Sequence, residues 1–121
     1  MTLERKWPTS LALDGEASFL ESTKRFPLLV LHLWAPWNGD DAILDQRLQE
    51  LPAMVLQQIE LRSLNTETTF GQKVCLDLEV MNLPALAVFV QGKLVDVIIG
   101  LRERPQLEFL ARHWIDWLAR S

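Results

Sequence analysis

Side chains able to do covalent or acid–base chemistry are sparse in this chain of 121 residues. It holds one cysteine, Cys75, two histidines, His32 and His113, and two adjacent carboxylates, Asp40 and Asp41. Thiol exchange needs a thiolate stabilised by positive charge or a helix N-terminus, and a second thiol to release the mixed disulfide. A lone Cys75 beside Val74 and Leu78 reads first as a small core residue, and the alternative is a monothiol or intermolecular disulfide site. His32 lies in an apolar run and reads as a neutral, hydrogen-bonded core residue, whereas His113 reads as a solvated helix residue. Asp40 and Asp41 open a helical pattern, where carboxylates accept backbone N–H groups and face the positive end of the dipole. They read as caps rather than as a pair of catalytic acids. No His/Cys cluster has metal-ligand spacing, so neither a metal nor a cofactor is expected.

The elements that position these residues follow from periodicity and punctuation. Residues 10–13 suggest a short strand, and Asp14 is placed to cap a helix over 16–24 that Pro27 closes. Leu28 to Ala35 is almost continuously apolar, as in a central strand covered on both faces. Pro36-Trp37-Asn38-Gly39 breaks that strand, and Leu44, Leu48 and Leu51 then follow helical spacing from Asp40 until Pro52. A further strand is expected over 56–64. Asn65 is a candidate cap for a third helix whose inner stripe would be Phe70, Val74, Leu78 and Met81. Pro84 opens the apolar segment 85–90, and Gln91-Gly92 turns it into 93–99 as a hairpin. Pro105 suits the first turn of a last helix with Leu107, Leu110, Ala111, Trp114, Ile115 and Leu118 facing inward. The order β-α-β-α-β-α-β-β-α implies an α/β fold, a mixed central sheet flanked by helices on both faces.

Composition narrows the function classes. The length suits one domain over residues 1–121, with a core from about 10 to 118. A hydrophobic fraction of 49% and a charged fraction of 23% fit a globular chain, and a net charge of −4 without a basic stripe argues against a nucleic-acid partner. Residues 1–8 carry charge with no apolar stretch behind them and do not read as a signal peptide. The longest apolar run, 26–37, is interrupted by Pro27, His32 and Pro36 and falls short of the roughly 20 residues of a membrane span. One cysteine favours a reducing, cytoplasmic setting.

Leu31-His32-Leu33-Trp34-Ala35-Pro36-Trp37-Asn38-Gly39-Asp40-Asp41 resembles the strand and active-site turn of the thioredoxin family, where Trp-Ala-x-Trp is followed by Cys-x-x-Cys. Asn82-Leu83-Pro84-Ala85 resembles the family loop whose proline is cis and faces the dithiol. The spacing from Pro84 through Phe89, Gln91-Gly92 and Gly100 to Leu107 agrees without a gap, and the likeness runs from about Ser10 to Leu118. It implies a thioredoxin-like fold. Asn38 then stands at the position of the nucleophilic thiol and Asp41 at that of the resolving thiol, and His32 takes the place of a buried acid. The segment 66–82 is about one helical turn longer than usual.

Such a protein is expected to be redox-inactive and noncatalytic, a chaperone, assembly factor or complex subunit that binds a protein or extended peptide. The resemblance places partner binding on Trp37, Asn38, Gly39, Asp40, Asp41, Leu83 and Pro84. The alternative is a thiol-redox protein acting through Cys75 alone. Trp34 and Trp114 are expected in the core, Trp37 at the rim of the binding surface and Trp117 at a helix edge, where it could instead serve an oligomer. Trp7 is either a further anchor or a clamp on the sheet.

Overall fold

The computed structural model describes residues 8–121, so the expectation for Trp7 falls outside the described residues. Strand β2 (Leu28–Trp34) is buried at every position, as its unbroken apolar run requires. It pairs in parallel with β3 (Glu60–Asn65) and antiparallel with β4 (Ala85–Val90). β1 (Leu11–Ala12) lies parallel to β3, and β5 (Lys93–Ile99) lies antiparallel to β4. The result is a mixed five-stranded sheet of order β1-β3-β2-β4-β5.

Alternation along β2 divides the core. Leu28 and Val30 pack with Leu44 and Leu48 of α2 (Gly39–Gln49), Val55 of α3 (Ala53–Leu56), and Leu107, Ala111 and Trp114 of α5 (Arg104–Ala119). Leu29, Leu31 and Leu33 point the other way, towards Phe19 of α1 (Glu16–Arg25) and Val74 of α4 (Thr69–Asp77). Helices therefore cover both faces. The β4–β5 turn has positive φ at both Gln91 (52°) and Gly92 (81°), the backbone that a two-residue hairpin with native twist demands. Among the described residues no helix is long and apolar enough to cross a membrane.

Local chemistry departs from expectation at several boundaries. Pro52 does not merely end α2; it is the N-cap of the short α3, and β3 consequently begins at Glu60 rather than at residue 56. Gly15, not Asp14, caps α1, and the Ser18 hydroxyl accepts from the N–H groups of Asp14 and Gly15. The cap of α4 is Thr68, whose hydroxyl accepts from Gly71 N at 2.9 Å; the Asn65 side chain instead accepts from Glu67 N. α4 stops at Asp77, and Glu79 adopts φ 58°, which breaks the 3.6-residue period. Met81, expected on the buried stripe, is consequently 91% exposed.

Candidate functional site

The turn after β2 is held from beneath. Asn38 caps α2 by accepting from Asp40 N at 3.0 Å, so the residue expected in the nucleophile position supplies the cap. Asp41 turns inward and is completely buried. Its Oδ2 accepts from Ala35 N at 2.9 Å and its Oδ1 lies 3.2 Å from His32 Nε2. An ionised Asp41 can only accept, which puts the imidazole proton on Nε2. The carboxylate thus ties the first turn of α2 to the last residues of β2, and the backbone leading to Trp37 is fixed at both ends. One turn further along α2, Asp45 is also buried and accepts from the backbone N and hydroxyl of Thr9 at 3.0 and 3.2 Å.

Above this anchor lies an open groove of about 540 Å³, lined by Trp37, Asn38, Thr66, Gln72, Cys75, Leu76, Val80, Met81, Asn82 and Leu83. The Leu83–Pro84 bond at its edge is cis. Among the described residues, the main chain of Asn82 and Leu83 takes part in no hydrogen bond, while the Pro84 carbonyl accepts from Gly100 N at 2.8 Å. The loop is therefore fastened to the hairpin behind it and open to a strand in front.

The expected binding residues separate into three groups. Trp37, Asn38 and Leu83 line the groove, and Gly39 and Asp40 are exposed at the start of α2. Asp41 and Pro84 are buried, so neither presents a contact surface; Asp41 serves as an internal acceptor and Pro84 sets the path of the loop. Leu76 and Met81 were not foreseen as site residues. Glu79 and Asn82 between α4 and Pro84 were the available signal that the helical stripe had ended. Trp34 and Trp114 are buried, Trp117 is 39% exposed, and the Trp114 indole donates to Asp96 at 2.9 Å.

Cys75 packs against the core cluster that holds Val74 and Leu33, as expected, but is only partly enclosed by it. It is half-buried in the groove wall, and burial raises its pKa above the ordinary cysteine value. The thiol, not the thiolate, is the form favoured at neutral pH. Among the described residues no group of three or more His, Cys, Asp or Glu side chains is placed to hold a metal ion.

No family model matches the chain. In sequence it is 28% identical over 85 residues to a thioredoxin of Staphylococcus aureus, covering 69% of this chain and 80% of that one. It is 25% identical over 87 residues to a thioredoxin of Griffithsia pacifica, covering 70% and 77%. The mitochondrial thioredoxin 3 of Saccharomyces cerevisiae superposes with a TM-score of 0.76 over 90% of this chain and 99% of that one, at 18% identity. A mutant thioredoxin of Halobacterium salinarum gives a TM-score of 0.74 over 88% and 90%, also at 18% identity. The chain is similar in sequence to thioredoxins and has the thioredoxin fold, an α/β architecture whose mixed five-stranded sheet lies between two layers of helices.

Proposed function

We propose that this chain is a noncatalytic protein that holds a partner protein or extended peptide in the groove between Trp37 and Leu83. One observation carries the reading: Trp37, Leu76 and Met81 are 70%, 79% and 91% exposed and converge on this groove. Large apolar side chains gathered at a concave surface are a recurrent sign of an interaction site, and tryptophan is the residue most enriched among binding hot spots. The unengaged main chain at Asn82 and Leu83 would pair with the ligand backbone, as the resemblance to thioredoxins implies. Such a surface would serve a chaperone, an assembly factor or a complex subunit alike.

Replacing an anchoring tryptophan by alanine commonly costs about 2 kcal/mol of binding, roughly thirtyfold in affinity. Trp37→Ala is expected to weaken the partner by that factor, measured by titration calorimetry, with little change in thermal midpoint. Unchanged affinity, combined with a strong loss in Trp117→Ala, would move the site to α5 and end this reading.

The rival is a thiol protein acting through Cys75, favoured by the placement of that side chain in the same groove. The two readings differ in reactivity. With its pKa raised by burial, Cys75 should alkylate with iodoacetamide more slowly than free cysteine at neutral pH. Its rate should still be climbing above about pH 8.5, where free cysteine levels off. Insulin reduction driven by dithiothreitol should match the control without protein. Fast alkylation at pH 7, or turnover abolished by Cys75→Ser, would install the thiol reading in place of the binding one.

A further inference from the structure

The sheet ends differently on its two sides. β1 closes one side with two residues, a short edge that offers little to a further strand. β5 closes the other with seven residues and no proline. Its hydrogen-bonding direction is set at both ends: the two-residue turn makes Val90 and Lys93 a bonded pair, and Gly100 N donates to Pro84 O at 2.8 Å. Alternation from these ends turns the N–H and C=O groups of Leu94, Val97 and Ile99 away from β4, Val95 being the extra residue of a bulge. Arg102 Nη1 covers the Ile99 carbonyl at 2.9 Å; among the described residues no such cap reaches Leu94 or Val97. α5 presents a second strip on the same side. The Trp114 indole ties the helix to Asp96 of β5, and Arg104 on one flank pairs with Glu50. Phe109, His113 and Trp117 follow each other at four-residue spacing along the opposite flank, where Phe109 and Leu110 share a hollow of about 390 Å³ with Arg102.

We infer that a second copy of this chain pairs with β5, antiparallel about a two-fold axis, so that two five-stranded sheets join into one. A two-fold axis matches a surface to itself. Leu94 then stands opposite Val97 of the second copy, the register that brings the uncapped backbone groups of both copies face to face and leaves Ile99 with Arg102. In β4, Leu94 faces Phe89 and Val97 faces Ala87, two members of one core cluster, so the Leu94 and Val97 side chains of both copies meet on one face. The bulge brings Lys93 and Asp96 together on the other face, opposite Val90 and Val88. Each Lys93 is there diagonal to Asp96 of the second copy, within reach of a long side chain. Asp96 Oδ2 accepts from Trp114 Nε1, which leaves Oδ1 for the ammonium. α5 lies against β4, so the two α5 helices would sit three strand spacings, about 14 Å, apart, whereas packed helices approach to about 8–10 Å. Large side chains are needed to fill such a gap, and the exposed Phe109 and Trp117 stand on the facing flanks. The exposed parts of Leu94, Phe109 and Trp117 offer roughly 300 Å² per copy. The main chain of the edge, with the half-buried Val95, Ile98 and Leu110, brings this towards the about 600 Å² per partner at which specific interfaces begin. None of these residues lines the groove, so it stays open in each copy.

Sedimentation velocity of the full chain should show monomer giving way to dimer as concentration rises from about 1 to about 100 μM, the range suited to an interface near that lower bound. Leu94→Lys puts a charge into the paired apolar cluster, and Trp117→Ala empties part of the gap between the helices. Each should weaken the dimer about tenfold or more. Both side chains are exposed in the single chain, so the far-UV circular dichroism of each variant should match the parent. The register has its own test. In a Cys75→Ser background, a mixture of Leu94→Cys and Val97→Cys chains should link by a disulfide under mild oxidation, and more completely than either chain alone. Bonded antiparallel pairs hold their Cα atoms about 5.5 Å apart, which suits that bond. A chain still monomeric at about 100 μM would overturn the inference. So would a dimer indifferent to both Leu94→Lys and Trp117→Ala, whose interface must lie elsewhere, or one in which Leu94→Cys links to itself better than to Val97→Cys.

Discussion

Asp41→Ala is expected to cost about 2–5 kcal/mol, because it leaves two buried donors, Ala35 N–H and His32 Nε2–H, without an acceptor at about 1–3 kcal/mol each. For a domain whose total stability is typically about 5–15 kcal/mol, that is enough to leave part of the population unfolded. Urea titration at 25 °C reads the loss directly. Asp41→Asn separates the two bonds. Its carbonyl oxygen can still accept from Ala35 N–H, and its amide group can donate to His32 once the imidazole proton moves to Nδ1. Because Nδ1 is buried without a hydrogen-bond partner among the described residues, that proton is left unsatisfied, so the Asn variant should keep the Ala35 bond and recover only part of the stability that the Ala variant loses. If Asp41→Ala stays within about 0.5 kcal/mol of the parent, the carboxylate does not anchor the turn.

Gly71→Ala should produce the second large loss, by a steric route. A Cβ at this position would stand 2.1 Å from the Asn65 carbonyl oxygen and 2.8 Å from Thr66 Cα, both backbone atoms that cannot swing aside. Two effects compete. Helix propensity favours Ala over Gly by about 0.5–1 kcal/mol. Forcing a methyl group into a filled site typically costs about 1–3 kcal/mol, and here the only relief is to move α4 off the end of β3. The clash wins, and Gly71→Val should be worse. Because α4 carries Cys75 and Leu76, its displacement should also reshape the groove and weaken peptide binding. Gly39→Ala is the matched control: nothing lies within 4 Å of a Cβ there, so stability should barely change. A Gly71→Ala chain as stable as the parent would mean that α4 does not pack this closely.

The sequence announced its strands and last helix because their signals are local. The buried run of β2, the Gln91-Gly92 turn and Pro105 with the Leu107/Ala111/Trp114 stripe need no tertiary information to be recognised. The misplacements arise where a residue's partner is distant in sequence. Asp41 reads as a cap at a helix start, yet it accepts from Ala35 and His32, as Asp45 one turn on accepts from Thr9, and nothing in a linear pattern shows that donors wait beneath them. Pro52 carries two meanings, helix end and helix opening, and both are used within a few residues. Met81 continued an apparent apolar stripe that Glu79 had already broken, which hid half of the groove wall from a reading by periodicity. Trp37 and Leu83 were legible because the motifs around them carried the resemblance, whereas Leu76 carried none.

The internal acceptor at position 41 also bears on the chain's evolutionary reversibility. Under the resemblance to thioredoxins, a dithiol would require cysteine at both 38 and 41. A cysteine introduced first at 41 removes the acceptor of Ala35 N–H, because a thiol is a poor acceptor and an ill-matched one at a 2.9 Å carboxylate site. A cysteine introduced first at 38 removes the side-chain cap of α2 and still has no resolving partner. Either intermediate is less stable and gains no redox chemistry in return. Under that resemblance, selection acting one substitution at a time would meet a stability valley on the way to a dithiol, and tolerance of substitution in the turn is confined to its exposed side, at Gly39 and Asp40.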